Sequence, residues 1–141
     1  MRILRHMREL QDALEDWGRY QRIPRERFFS DRDTRNMVFH AMMVGIQSAI
    51  DISTDLIAEE HLRRPASYRE TFEILGENGI LPEPLTRDLS ALAGFRNVLV
   101  HIYWDLDLEQ VYAILQQDLA VLTAFLDAIQ VHLRERDAAD P

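Results

Sequence analysis

Apolar residues recur every three or four positions along most of this chain, and nowhere do they alternate with polar residues long enough to build a strand. That spacing belongs to helices that each bury one stripe, so the fold class is all-α. Ile3, Met7, Leu10, Leu14 and Trp17 step by four, three, four and three and define a first helix. It ends before Pro24, which biases Ile23 away from helical geometry. Ser30, with Asp33 three residues on, offers an acidic variant of the capping box for a long helix reaching about His61. The stripe of that helix is Val38, Met42, Ile46, Ala49, Ser53 and Leu56, and Arg63-Arg64-Pro65 breaks it. Ser67-Tyr68-Arg69-Glu70 is a full capping box for a short helix, closed by Gly76 and Gly79. Pro82 and Pro84 mark the next entrance, where a missing N–H costs little, and Leu85, Leu89, Leu92 and Phe95 follow. Asp107, with Gln110 three later, caps a last helix with the stripe Val111, Ile114, Leu115, Leu119, Leu122, Leu126, Ile129 and Leu133. Four long helices and one short one, joined by short turns, predict an up-and-down four-helix bundle with an additional short helix.

The chain has 141 residues, of which 47% are hydrophobic, enough for one domain with a real core. It has no Cys, which removes disulfides and thiolate metal sites and fits a cytoplasmic location. No apolar run approaches the roughly 20 residues needed to span a bilayer, so no membrane partner is expected. The N-terminus soon turns charged, unlike a secretory signal. All sixteen basic residues are Arg, and the formal charge of −8 argues against broad, non-specific nucleic-acid binding. The charge is uneven. Residues 19–35 carry six Arg against Glu26, Asp31 and Asp33, whereas residues 105–141 carry eight acids against Arg134 and Arg136. Such asymmetry suits a complementary partner or a second copy of the chain, and equally two ordinary solvated faces.

Chemistry concentrates in Arg96-Asn97-Val98-Leu99-Val100-His101-Ile102-Tyr103. Arg grips phosphate with a permanently charged planar fork, and His exchanges protons near neutral pH. Together they are the minimum for breaking a phosphodiester without a metal. Asn97 and His101, four apart, share a helical face and Asn97 is placed to orient the imidazole or a phosphate oxygen. Arg96 and His101, five apart, lie about 140° apart on an ideal helix. An unbroken helix does not aim both at one phosphate, so the helix must end near His101 or a second chain must complete the site. The bulky Ile102-Tyr103-Trp104 and the cap at Asp107 place His101 at a helix end. There the helix dipole favours a protonated imidazole by a fraction of a kcal/mol to about 2 kcal/mol. The plainer alternative is an Arg and a His that cap carbonyls or pair with acids.

The Arg-x-x-x-x-His spacing, extended to His-x-Tyr, resembles the HepT branch of the HEPN superfamily of helical domains. Ala49-Ile50-Asp51-Ile52, the stretch from Ser67 to Leu75, Ala93-Gly94-Phe95 and Tyr103-Trp104-Asp105-Leu106-Asp107 also resemble that family. The likeness covers residues 1–135 as one HEPN-like domain and leaves 136–141 as a polar tail that, with Arg134 and Glu135, frays. It implies a homodimer whose two motifs face a shared cleft and cleave RNA without metal or cofactor, with Arg96 and His101 as catalytic residues. Asn97 and Asp51 support them, Asp51 by holding Arg96 or His101; the plainer alternatives are a helix-end hydrogen bond for Asn97 and a surface charge for Asp51. It further implies the toxin of a type VII-like pair, silenced when a cognate, MntA-like nucleotidyltransferase antitoxin transfers AMP to Tyr103. The alternative within the same family is a non-catalytic nucleotide- or RNA-binding subunit of a nucleotidyltransferase complex. A metal-binding bundle is disfavoured, because no Glu stands three residues before any of the five His.

Overall fold

The computed structural model describes residues 2–139; Met1 and the last two residues of the expected tail, Asp140 and Pro141, lie outside the described residues. Seven α-helices and one 3-10 turn account for the described elements. They are α1 (Arg2–Tyr20), α2 (Arg25–Ser30), α3 (Arg32–Glu59), α4 (Tyr68–Glu77), α5 (Glu83–His101), the 3-10 turn Tyr103–Asp105, α6 (Leu108–Gln117) and α7 (Leu119–Ala139). α3 is the central element and packs against α1, α4, α5 and α7. Every residue of its expected stripe is buried, from Val38 to Leu56. Trp17, Phe28, Phe72 and Phe125 are the largest fully buried side chains, each stabilising the fold by about 1.5–3 kcal/mol or more. α3 is long and apolar enough by length and composition to cross a bilayer, which corrects the expectation that no segment comes near that limit; 67% of its apolar window is buried against the other helices.

Two capping signals behave as their chemistry requires: Ser67 accepts from the Glu70 N–H, and Asp107 accepts from the N–H groups of Glu109 and Gln110. The box at Ser67 is not reciprocal, since the Glu70 carboxylate accepts from the Ala66 N–H, and Pro82 precedes α5 without a side-chain capping bond. Gly79 takes a positive φ of 74°, the stop geometry expected of it. Gly76 instead lies inside α4, where a Cβ would come within 2.7 Å of the Thr86 hydroxyl on α5, so its role is close helix approach.

Three further expectations are corrected. Ser30 closes α2, a six-residue helix absent from the periodicity reading, and Asp31 is the residue that caps α3 through the Asp33 N–H and the Thr34 hydroxyl. Phe28 on α2 is anchored among Phe29, Phe39 and Tyr112, with the Arg25 guanidinium 4.5 Å from the Phe29 ring centre. The last helix is two helices that bend by 43° at Asp118. The cause is visible. The Leu115 carbonyl accepts from the Trp17 indole at 2.8 Å and the Gln21 amide at 3.0 Å, and side chains inserted into the ladder kink a helix. Burial at that kink, with the Asp88 charge adding to it, pushes the Asp118 carboxyl above its usual range. The tail does not fray where expected: α7 runs on to Ala139, and Arg136 reaches Glu60 and Glu59 at 3.5 and 3.7 Å.

Candidate functional site

The end of α5 holds the motif. The helix stays regular through His101, and the Ile102 N–H still donates to the Val98 carbonyl at 2.8 Å. His101 is therefore at a helix end, as expected. Yet Arg96 and His101 share one unbroken helix, so the break comes too late to swing them together within one chain.

Arg96 is half-buried and held on three sides. Its Nε donates to Gln47 Oε1 at 3.0 Å, its Nη1 donates to Asn97 Oδ1 at 3.3 Å, and its guanidinium carbon lies 4.9 Å from the Tyr68 ring centre. The Gln47 amide is itself oriented, its Nε2 donating to Asp51 Oδ1 at 2.9 Å. Gln47 and Asp51 stand four apart on α3, so one helical face presents the relay to α5. Asp51 thus reaches Arg96 at one remove, through Gln47, rather than by holding it directly. Asn97 turns to Arg96, and among the described residues it makes no hydrogen bond to His101. Two of the five guanidinium N–H donors are engaged, which leaves three for a ligand.

His101, by contrast, is exposed and has no hydrogen-bond partner among the described residues. Beside it Val98, Val100, Ile102, Tyr103 and Trp104 all stand exposed, a concentration of apolar surface found nowhere else on the described residues. Tyr103 is 49% exposed at the start of the 3-10 turn. One hollow opens beside Asn97 and Tyr68, and others beside Val100 and Tyr103, so surface depressions flank the motif on both sides. Among the described residues no three His, Asp or Glu side chains converge in a metal-binding cluster.

Gln47 escaped the sequence reading. The available signal was a polar pair, Gln47 and Asp51, interrupting an otherwise apolar stretch of α3 at helical spacing.

Comparison with known proteins adds a family to this geometry. The family model described as Ribonuclease HepT-like matches residues 10–129. An mRNA nuclease HepT of Shewanella oneidensis is 32% identical over 84 residues, 60% of this chain; the match spans 63% of that relative's length, a little under two thirds. A putative RNase of Archaeoglobus fulgidus is 34% identical over 93 residues, 66% of this chain and 70% of its own. A solved tri-AMPylated HEPN toxin of Shewanella oneidensis, in complex with its MNT antitoxin, superposes with a TM-score of 0.84 at 24% identity, covering 92% of this chain and 96% of that one. The helical architecture is therefore shared with HEPN toxins, and the chain belongs to the HepT-like ribonuclease family.

Proposed function

We propose that this protein is a ribonuclease toxin that cleaves RNA without a metal at a cleft formed by two copies of the chain. One observation carries the reading: a family member's Arg96, pre-oriented by Gln47 with donors to spare, stands one helix end from an unpartnered, exposed His101. Within one chain the two side chains diverge by about 140°, so a second copy supplies what the first cannot aim. The exposed apolar side chains Val98, Val100 and Ile102 are the surface on which such a copy can pack, with Tyr103 and Trp104 left open to the cleft.

In the proposed reaction, His101 of one copy takes the proton from a ribose 2′-hydroxyl as that oxygen attacks the adjacent phosphorus. His101 of the second copy protonates the departing 5′-oxygen. Arg96 stabilises the extra negative charge on the phosphorane. The products are a 2′,3′-cyclic phosphate and a free 5′-hydroxyl. Asn97 and Asp51 act on Arg96, the first directly and the second through Gln47. A nucleotidyltransferase antitoxin transfers AMP from ATP to the Tyr103 oxygen and releases pyrophosphate. The added charge and bulk, two residues from His101, repel an RNA phosphate. That the related Shewanella toxin is AMPylated and antitoxin-bound supports this regulation. This reading puts the protein in the cytoplasm, where RNA and ATP are both at hand.

The test is incubation of purified protein with total RNA in EDTA, beside His101→Ala. Cleavage by the wild type alone is expected. Cleavage by both proteins overturns the assignment of His101. Cleavage by neither, with an intact mass lacking AMP, favours the second reading, a non-catalytic nucleotide- or RNA-binding subunit, to which the net charge of −8 lends some weight. With the antitoxin and ATP, the mass gain of AMP is expected on wild type and lost in Tyr103→Phe.

A further inference from the structure

A third hollow, of about 410 Å³, lies beyond Tyr103, between the start of α3 and the 3-10 turn. That volume is within the roughly 300–1,000 Å³ typical of small-ligand sites. Its chemistry is not that of a packing defect. Arg32 and Arg35 enter from α3 with Asn36, while Tyr103, Trp104 and Asp105 close it from the turn. Two guanidinium groups outweigh the one carboxylate. Arg35 is braced, its Nη1 donating to the carbonyls of Phe29 at 2.9 Å and Phe28 at 3.2 Å, which fixes the fork and leaves Nη2 for a ligand. Arg32 has no ion pair or side-chain hydrogen bond among the described residues. Trp104 is 78% exposed, the most exposed of the large apolar side chains. An indole left in water beside one unpaired guanidinium and a second held with Nη2 to spare is poorly explained by folding and well explained by a ligand with a flat ring and an anion.

We propose that this hollow is a nucleoside-monophosphate subsite that holds one RNA nucleotide next to the cleaved bond: the base stacks on Trp104, its phosphate meets Arg32 and Arg35, and the Asn36 amide reads a base edge. Each residue type suits its task. Indole faces stack on any base, guanidinium forks match phosphate oxygens, and an amide offers both donor and acceptor. The position fits as well, since Tyr103 lines the hollow and stands two residues from His101. The inference rests on the ribonuclease reading for the identity of the strand. It also gives the Arg-rich segment 19–35 a use, at two residues of its C-terminal part. The same chemistry is carried by an adenylyl group on Tyr103, which would fill the hollow and displace the RNA nucleotide.

The test measures binding apart from cleavage. A fluorescein-labelled 12-mer of adenosine RNA is titrated in EDTA onto full-length protein carrying His101→Ala. Adding Arg32→Ala or Trp104→Ala is expected to weaken binding about tenfold each, whereas Trp104→Phe, which keeps a stacking face, retains most of it. Adding Arg87→Ala, a distant exposed cation paired with Glu83, leaves binding unchanged. Arg32→Ala also lowers the salt dependence of binding by about 0.7 of a log unit per log unit of salt. Because Trp17 is buried, 5′-AMP is expected to quench the fluorescence of the unmodified protein, and to fail to quench Trp104→Ala. Binding that ignores both Arg32 and Trp104 overturns the subsite. So does quenching seen only after Tyr103 is adenylylated, which would assign the hollow to the covalent group alone. Should the wild type cleave no RNA while these binding differences hold, the ribonuclease reading fails and the subsite stands.

Discussion

The histidines of the first and last helices and the histidine that ends α5 share one side chain and face opposite circumstances. His6 on α1 donates from Nδ1 to Asp55 Oδ2 at 2.7 Å, with the two side chains 14% and 9% exposed. His132 on α7 lies 2.6 Å from Glu60, a carboxylate that Arg136 also approaches. Both imidazoles tie the outer helices to the end of α3, each with one ring nitrogen against a carboxylate. His101 has no such partner among the described residues and stands in the open at the end of α5. The paired histidines join helices, while the unpaired one makes no hydrogen bond that holds the fold together among the described residues. Arg96 is the intermediate case, held firmly at Nε and available at Nη2.

The largest effect expected from this contrast is a double dissociation. His101→Ala should lower RNA cleavage by roughly 10²–10⁴-fold, the usual worth of a general acid or base, and leave stability within about 0.5 kcal/mol. His6→Ala should do the reverse. It leaves the Asp55 carboxylate buried without its partner, which costs about 1–3 kcal/mol in urea unfolding, and spares cleavage. A His101→Ala protein destabilised as much as His6→Ala would erase the distinction, because His101 would then be another structural imidazole.

The second test asks whether Arg96 needs its brace. Gln47→Leu removes the acceptor at Nε and strands Asp51, and an arginine free to swing is expected to lower kcat/KM about tenfold. The loss should fall mainly on kcat, since the charge survives and only its aim is lost. Gln47→Glu retains an acceptor for Arg96 and should keep more activity than Gln47→Leu. Equal losses in the two variants would mean that Gln47 serves packing rather than orientation.

The contrast between these regions also explains what could be read in advance. Features encoded within a few residues were legible. The buried stripe of α3, the Ser67 and Asp107 caps, the Gly79 stop and the helix end at His101 all follow from spacing and side-chain type. Features made by distant segments were not. The bend at Asp118 depends on Trp17 and Gln21 taking a carbonyl some 98 and 94 positions away, and the stripe from Val111 to Leu133 runs straight through it. The short α2 exists because Phe28 finds Phe39 and Tyr112. Gln47 gained meaning only when α5 lay across α3 and set Arg96 above it. Arg96 and His101 stand out as candidates by their type and spacing; the brace that orients one of them is tertiary.

His61 supplies the smallest and most local prediction, and a third kind of histidine. It follows the end of α3 with a φ of +54°, a left-handed conformation that side chains other than glycine rarely adopt. The Leu62 N–H reaches back to the Ile57 carbonyl at 2.9 Å, closing the helix in the geometry that glycine usually provides. Here the imidazole is exposed and the backbone carries the role. His61→Gly relieves the conformational cost but adds freedom to the unfolded chain, so the net gain should be only about 0.5 kcal/mol, with cleavage unchanged. A loss of stability instead would show that the His61 ring holds a contact worth more than the strain. A loss of cleavage would place that ring in the RNA path, and the division between working and structural histidines would have to be redrawn around two sites.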